Sequence, residues 1–167
     1  MTKAVQDLMV EVERVRDAFV TALLRPDPDA AHALLTPDAR LEIDPAGTAI
    51  TSADAVRRFL ADDLAHGLPA DLTLRRHSRT GDRWHVVDEA SATFTHDREM
   101  RWLLPGVPAT GRLVEVDLLT VVRVRRSRVT RVRLVWDLLD LADQLDLDPA
   151  TLPRRRRALL REAAPGA

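Results

Sequence analysis

Apolar residues Val5, Leu8, Met9, Val12, Val15, Phe19, Ala22 and Leu23 recur at helical spacing. That pattern predicts a long amphipathic first helix, ending before Pro26 because a residue preceding proline avoids the α region. "DPDAAHALL" (27–35) reads as a short second helix, capped by Asp27 or Asp29 and stopped at Thr36-Pro37. "ARLEID" (39–44) is a short strand and "PAGT" (45–48) a turn. Thr51 or Ser52 caps a third helix, with Asp54 in its first turn and Val56, Phe59, Leu60 and Leu64 as its apolar stripe.

After residue 71 the period falls from 3.6 to 2. "DLTLRRHS" alternates, and "RWHVVDEASATFTH" (83–96) is long enough for a bent strand. "RLVEVDLLTVVRV" (112–124) puts Val114, Val116, Leu118, Val122 and Val124 on one face, with Thr120 among them. "VTRVRLVW" (129–136) sets Val132, Leu134 and Trp136 against Arg131 and Arg133 on the opposite face. "RRSR" (125–128) is a tight hairpin link, and "WLLPGVPATG" (102–111) must be a loop. Helices on one side of a strongly curved antiparallel sheet make an α+β domain that encloses a concave pocket, here residues 1–147. Residues 148–167 read as a tail with a short C-terminal helix capped by Thr151. Its run Arg154 to Arg157 is read as a solvated face docked through Leu152, Leu159 and Leu160, in preference to a contact with an acidic partner or nucleic acid.

Composition narrows the chemistry. The 167 residues carry a net charge of −1, with 46% hydrophobic and 31% charged residues, as in an ordinary globular domain without a general pull toward nucleic acid or anionic membrane. No apolar run approaches the roughly 20 residues of a membrane span, and the N-terminus has no secretory h-region, so a cytoplasmic location is expected. The chain has no Cys, Tyr or Asn, and Lys3 is its single lysine. Thiol, phenol, carboxamide and Schiff-base mechanisms are therefore excluded or improbable.

Carboxylates remain. Asp137 follows the strand ending at Trp136 and precedes a helical pattern. Delivered to a pocket rim and flanked by Trp136, Leu138 and Leu139, it would be desolvated into a stronger base; turned outward, it would cap the next helix. The residues leave these alternatives even. Asp44, before Pro45, has the same choice, with a turn-forming role favoured locally. Asp63 falls on the stripe of the third helix, facing either the pocket or the stripe's edge. Asp88 interrupts an apolar strand face and needs a partner, for which Arg76, Arg98 and Arg101 are available. The histidines His32, His66, His77, His85 and His96 show no metal-binding spacing; a trio of His77, His85 and His96 is the least improbable metal site, and none is expected.

"DLLDLADQLD" (137–146) resembles the Asp-x-x-Gly-Leu-x-x-Gln-Leu-Gly ending of SnoaL-like polyketide cyclases, in the nuclear-transport-factor-like superfamily of cone-shaped α+β barrels. Asp137, Leu141, Gln144 and Leu145 match, and Asp140 and Asp146 replace the glycines. "LPGVPATGRLVEV" (104–116) resembles that family's Pro-Gly-x-Pro-x-Thr-Gly-x-x-Val segment. The resemblance implies that Asp137 is a general base, removing a proton from carbon between carbonyls before an aldol closure, without a cofactor. It also implies a homodimer. "IDPAG" resembles the Asp-Pro-x-Gly segment of ketosteroid isomerases, whose proton-shuttling aspartate matches Asp44. Phe19 and Thr120 stand where that enzyme needs a tyrosine and a protonated acid, and losing such a donor costs about 10²–10³ in rate, so steroid isomerisation is rejected. Relatives resembling limonene-epoxide hydrolase or scytalone dehydratase depend on Tyr or Asn, which are absent. The expected function is thus a cofactor-independent cyclase or isomerase acting on a small hydrophobic, polycarbonyl-like molecule. Asp137 is the base and Asp44 a second carboxylate; Trp136, Trp102, Phe94 and Phe59 line the cavity; and His66, His85 or Thr120 bonds a developing oxyanion. The alternative is a non-catalytic ligand-binding or dimerisation module of the same fold.

Overall fold

A computed structural model describes residues 2–44 and 46–152. The expected tail elements at Arg154–Arg157, Leu159 and Leu160 lie outside the described residues, as does Pro45. Helix α1 spans Lys3–Leu24, and α2 spans Pro28–Ala33 with the Asp27 carboxylate accepting from the Ala30 amide at 2.9 Å. Strands β1 (Leu35–Ile43) and β2 (Thr48–Thr51) form a hairpin. Ser52 caps α3 (Ala53–Phe59), which continues through a π-helical turn, Leu60–Leu64, into a last turn, α4 (Ala65–Gly67). Then come β3 (Thr73–Gly81), β4 (His85–Thr95), β5 (Leu113–Arg125), β6 (Arg128–Trp136) and α5 (Leu138–Gln144).

The six strands form one curved, unclosed sheet in the order β2-β1-β6-β5-β4-β3. It departs from the expected antiparallel meander in the parallel pairing of β1 with β6. Partners so far apart in sequence leave no local mark, so only the assembled sheet reveals the pairing. β2 is likewise a strand where a turn and a cap were expected. The second helix stops before Thr36, and β1 runs through Pro37, which sits in the irregular stretch between the Leu35 and Arg40 pairings with β6; bulges are where a strand tolerates proline. The β5–β6 link turns on Arg126 and Ser127, both at positive φ (48° and 59°), as a two-residue hairpin requires.

Helix α1 packs on β4, β5 and β6, and α3 on β1 and β2. The core lies between them and the inner sheet face. Val12, Val15, Phe19 and Ala22 bury one stripe of α1, while Leu8 stays half exposed near its start. Each fully buried large apolar side chain there contributes about 1.5–3 kcal/mol of transfer free energy. Asp88 points from β4 into this layer, only 1% exposed. Its partners are Arg79, at 2.6 Å, and Arg16 of α1, not the arginines that the sequence suggested.

Candidate functional site

The layer between helices and sheet is not completely filled. A cavity of about 130 Å³ lies under the C-terminal end of α1 (Val20, Leu23, Leu24). Its floor is the inner sheet face: Leu41 and Ile43 of β1, Ala92 and Phe94 of β4, Val116, Leu118 and Thr120 of β5, and Val132, Leu134 and Trp136 of β6. Phe59, Leu64, Leu68, Leu72 and Leu74 close one flank, and Met100, Trp102 and Leu103 from the β4–β5 loop close another. Leu24 and Leu74, each 41% exposed, bring its edge to solvent. Period-two alternation explains the floor, because every second residue of a strand faces the same way. Of the loop's contribution the sequence suggested Trp102 but not Met100 or Leu103, although the apolar residues in "MRWLLPGV" are a signal for a loop folded inward.

Five of the expected site residues meet here: Phe59, Phe94, Trp102, Thr120 and Trp136. No Asp, Glu, His, Lys or Arg lines the cavity among the described residues. Among the lining residues only Thr120, Trp102 and Trp136 carry a polar side-chain N or O atom, and both indole N–H groups are fully buried. Neither indole N–H has a hydrogen-bond partner among the described residues.

Neither of the expected carboxylates, Asp137 and Asp44, is among the residues that line this cavity. Asp137 is exposed and caps α5, accepting from the amides of Leu139 (2.9 Å) and Asp140 (3.2 Å). Burial of Leu138, Leu141, Ala142 and Leu145 fixes the rotation of α5 and leaves Asp137 on its solvent side. The remaining motif residues dock the same helix. Gln144 donates to the Glu115 carbonyl (2.7 Å) and accepts from the Glu115 amide (2.9 Å), lacing α5 to β5. Asp146 has φ 59°, and the amides of Asp146 and Leu147 bond the carbonyls of Asp143 and Ala142. That is a Schellman ending, with Asp146 at the left-handed position glycine favours. Asp44 is buried outside the cavity lining, its carboxylate 2.9 Å from the Arg133 guanidinium.

The histidines do not reach the cavity either. His66 is exposed, its Nδ1 donating to the Asp62 carbonyl at 3.1 Å. His85 lies 3.3 Å from the Asp82 carboxylate on the outer sheet face. The imagined metal trio is dispersed: His77 contacts Ser91 at 2.6 Å, whereas His96 is fully buried against Thr110 at 3.1 Å. Burial holds the His96 imidazole below its ordinary pKa.

Asp63 stands next door. With Thr48, Ile50, Ala55, Arg58, Asp62 and Arg101 it lines a second, more open recess that shares Phe59 and Trp102 with the cavity. The π-helical turn builds this boundary. Within its five residues Leu60 and Leu64 are buried, while Asp62 and Asp63 are on the recess side. Such single π turns occur often at functional sites. Gly67 supports the other half of the wall: a Cβ there would lie 3.1 Å from Cδ1 and Nε1 of Trp102.

A helix-covered, curved sheet with a hollow beneath α1 defines an α+β protein of the ketosteroid-isomerase-like fold. The sequence profile of the SnoaL-like domain matches residues 16–132, and the chain belongs to that family. No curated protein sequence matches it. Among solved structures, it is similar to a protein assigned as a SnoaL-like polyketide cyclase from Jannaschia sp. CCS1, with 21% identity, TM-score 0.70, and 85% of this chain and 96% of that chain covered. A protein assigned as a polyketide cyclase from Xanthomonas campestris has 20% identity, TM-score 0.60 and coverages of 83% and 98%. A limonene-epoxide-hydrolase-like epoxide hydrolase of M. tuberculosis has 20% identity, TM-score 0.61 and coverages of 82% and 90%. At these identities the likeness is one of fold.

Proposed function

We propose that this chain binds a small hydrophobic molecule in the cavity beneath α1 and that Asp137 serves the fold, not the chemistry. The observation that carries this reading is an apolar hollow without an ionisable side chain among its described lining residues. Its volume is close to that of an engineered, apolar cavity of about 150 Å³ that stays dry and takes up benzene. Toluene is a suitable probe, and the fluorescence of Trp102 and Trp136 a suitable readout. Saturable binding is expected in the wild type, within about twofold of the same affinity in Asp137→Asn. Absence of saturable binding to either protein would refute the proposal.

A second reading keeps acid–base catalysis but moves it. It is favoured by Asp63, which is half buried beside the cavity wall and has no hydrogen bond or ion pair among the described residues. On this reading Asp63 takes a proton from carbon next to a carbonyl. Deuterium uptake at the acetophenone methyl in D₂O, followed by NMR, separates the two readings. Catalysed uptake that is lost in Asp63→Asn and kept in Asp137→Asn supports an enzyme; uptake no faster than in buffer supports a binding module.

A further inference from the structure

The cavity and the recess are two compartments with opposite chemistry and a common wall. Phe59 and Trp102 line both. On the inner side the described lining residues carry no charge, whereas on the outer side stand two guanidinium groups and two carboxylates, Arg58, Arg101, Asp62 and Asp63. Three of these four, Arg58, Asp62 and Asp63, make no side-chain hydrogen bond or ion pair among the described residues. Arg101 makes one exposed contact, with Glu99 at 3.5 Å. Trp102 itself lies on this boundary, with its indole Cδ1–Nε1 edge packed toward Gly67.

Resting on the binding reading above, we infer that the ligand is amphiphilic: a ring-sized apolar body in the cavity and an uncharged hydroxyl-type head at the Phe59–Trp102 wall, facing the recess. The charges determine the head. Two positive and two negative groups give the recess no net charge, so neither an anion nor a cation gains an overall attraction there. A hydroxyl donates to a carboxylate and accepts from a guanidinium, and thus uses both kinds of group. Indole suits the boundary position because it combines an apolar body with a polar edge. The π-helical turn accounts for the closeness of the two environments, since one turn supplies apolar residues inward and acids outward.

Four probes with nearly the same body decide the matter: toluene, benzyl alcohol, benzoate and benzylammonium, titrated against the intact protein. Benzyl alcohol is the better hydrated of the two neutral probes, so a purely apolar site would prefer toluene by tenfold or more. The inference expects benzyl alcohol to bind at least as tightly as toluene, and both ions at least tenfold more weakly than the alcohol. In Arg58→Ala/Asp63→Ala the alcohol should weaken about tenfold while toluene stays within twofold; both positions are on the recess side, away from the core. Toluene binding tenfold tighter than the alcohol in the wild type would overturn the amphiphile while leaving the cavity reading intact, and so would an unchanged alcohol affinity in the double variant. Tighter binding of either ion would overturn the uncharged head. Failure of all four probes to bind would remove the cavity reading, and this inference with it.

Discussion

Two places under α1 handle polarity in opposite ways. Near the middle of the helix, Arg16 meets Asp88 of β4, and Arg79 of β3 joins Asp88 to Asp17 at 2.6 and 2.7 Å. A few residues further along the same helix, Val20, Leu23 and Leu24 cover a hollow whose described lining carries no charge. The first place holds helix to sheet with a closed ionic network; the second leaves space. The difference follows from solvation. A buried charge is tolerated only when paired, and a charged wall would draw water into a hollow that apolar walls keep dry. The chain therefore uses its buried ions to fix α1 and keeps them away from the volume it leaves open.

The largest expected effect breaks the ionic side. Asp88→Ala leaves Arg16, whose side chain is only 12% exposed, beside Arg79 and with only the half-exposed Asp17 as an acidic partner. Removing one partner of a buried pair costs about 3–5 kcal/mol, a drop in Tm of roughly 10 °C for a chain of this size, readable by thermal denaturation. Next comes pH. His96 has its pKa lowered by burial, so the folded state favours the neutral ring and the unfolded chain binds the proton more readily. Stability is then fully present above about pH 6.5 and falls as pH drops from there toward the folded pKa. Asp17 and Asp97 are held low by hydrogen bonds from Arg79 and Arg98, and they lose their contributions only in a more acidic range. Urea denaturation at pH 7.5 and 5.5 should show the loss in the wild type and a flatter profile in His96→Gln.

The apolar side should respond with the reverse sign. Ala92→Leu projects a larger side chain into the hollow; a gain of about 1 kcal/mol is expected, together with loss of toluene binding. A clear destabilisation would mean that the space is smaller than described. The smallest change is Asp146→Gly. It relieves a left-handed residue and gives up an exposed contact with Arg112, for a net stabilisation of about 0.5 kcal/mol in chemical denaturation.

Much of this was legible in the chain. The alternation of β5 and β6 placed Thr120, Leu134 and Trp136 on the inner face, and the family-like spacing of Asp137, Leu141, Gln144 and Leu145 pointed to the right fold. The same spacing also serves the docking of the last helix. Those residues form a docking cassette, in which Asp137 starts α5, Leu141 and Leu145 bury it, and Gln144 ties it to β5. Local pattern left capping and catalysis equally open for Asp137 because both suit an acid between a strand and a helix. Asp44 was ambiguous for a related reason: whether an acid at a strand end meets an arginine or a pocket depends on Arg133, from a strand far away in sequence.

What the sequence alone determined was therefore periodic: which elements form, which side of each strand faces inward, and where helices start and stop. These properties depend on neighbours within a few residues, through steric preference, capping and the spacing of apolar side chains. The parallel β1–β6 pairing, the partners of Asp88, the outward turn of Asp137 and the unfilled volume beneath α1 were decided by tertiary structure. Each depends on how side chains from distant segments share space, and a hollow in particular is a difference between the volume enclosed and the volume of the groups that enclose it.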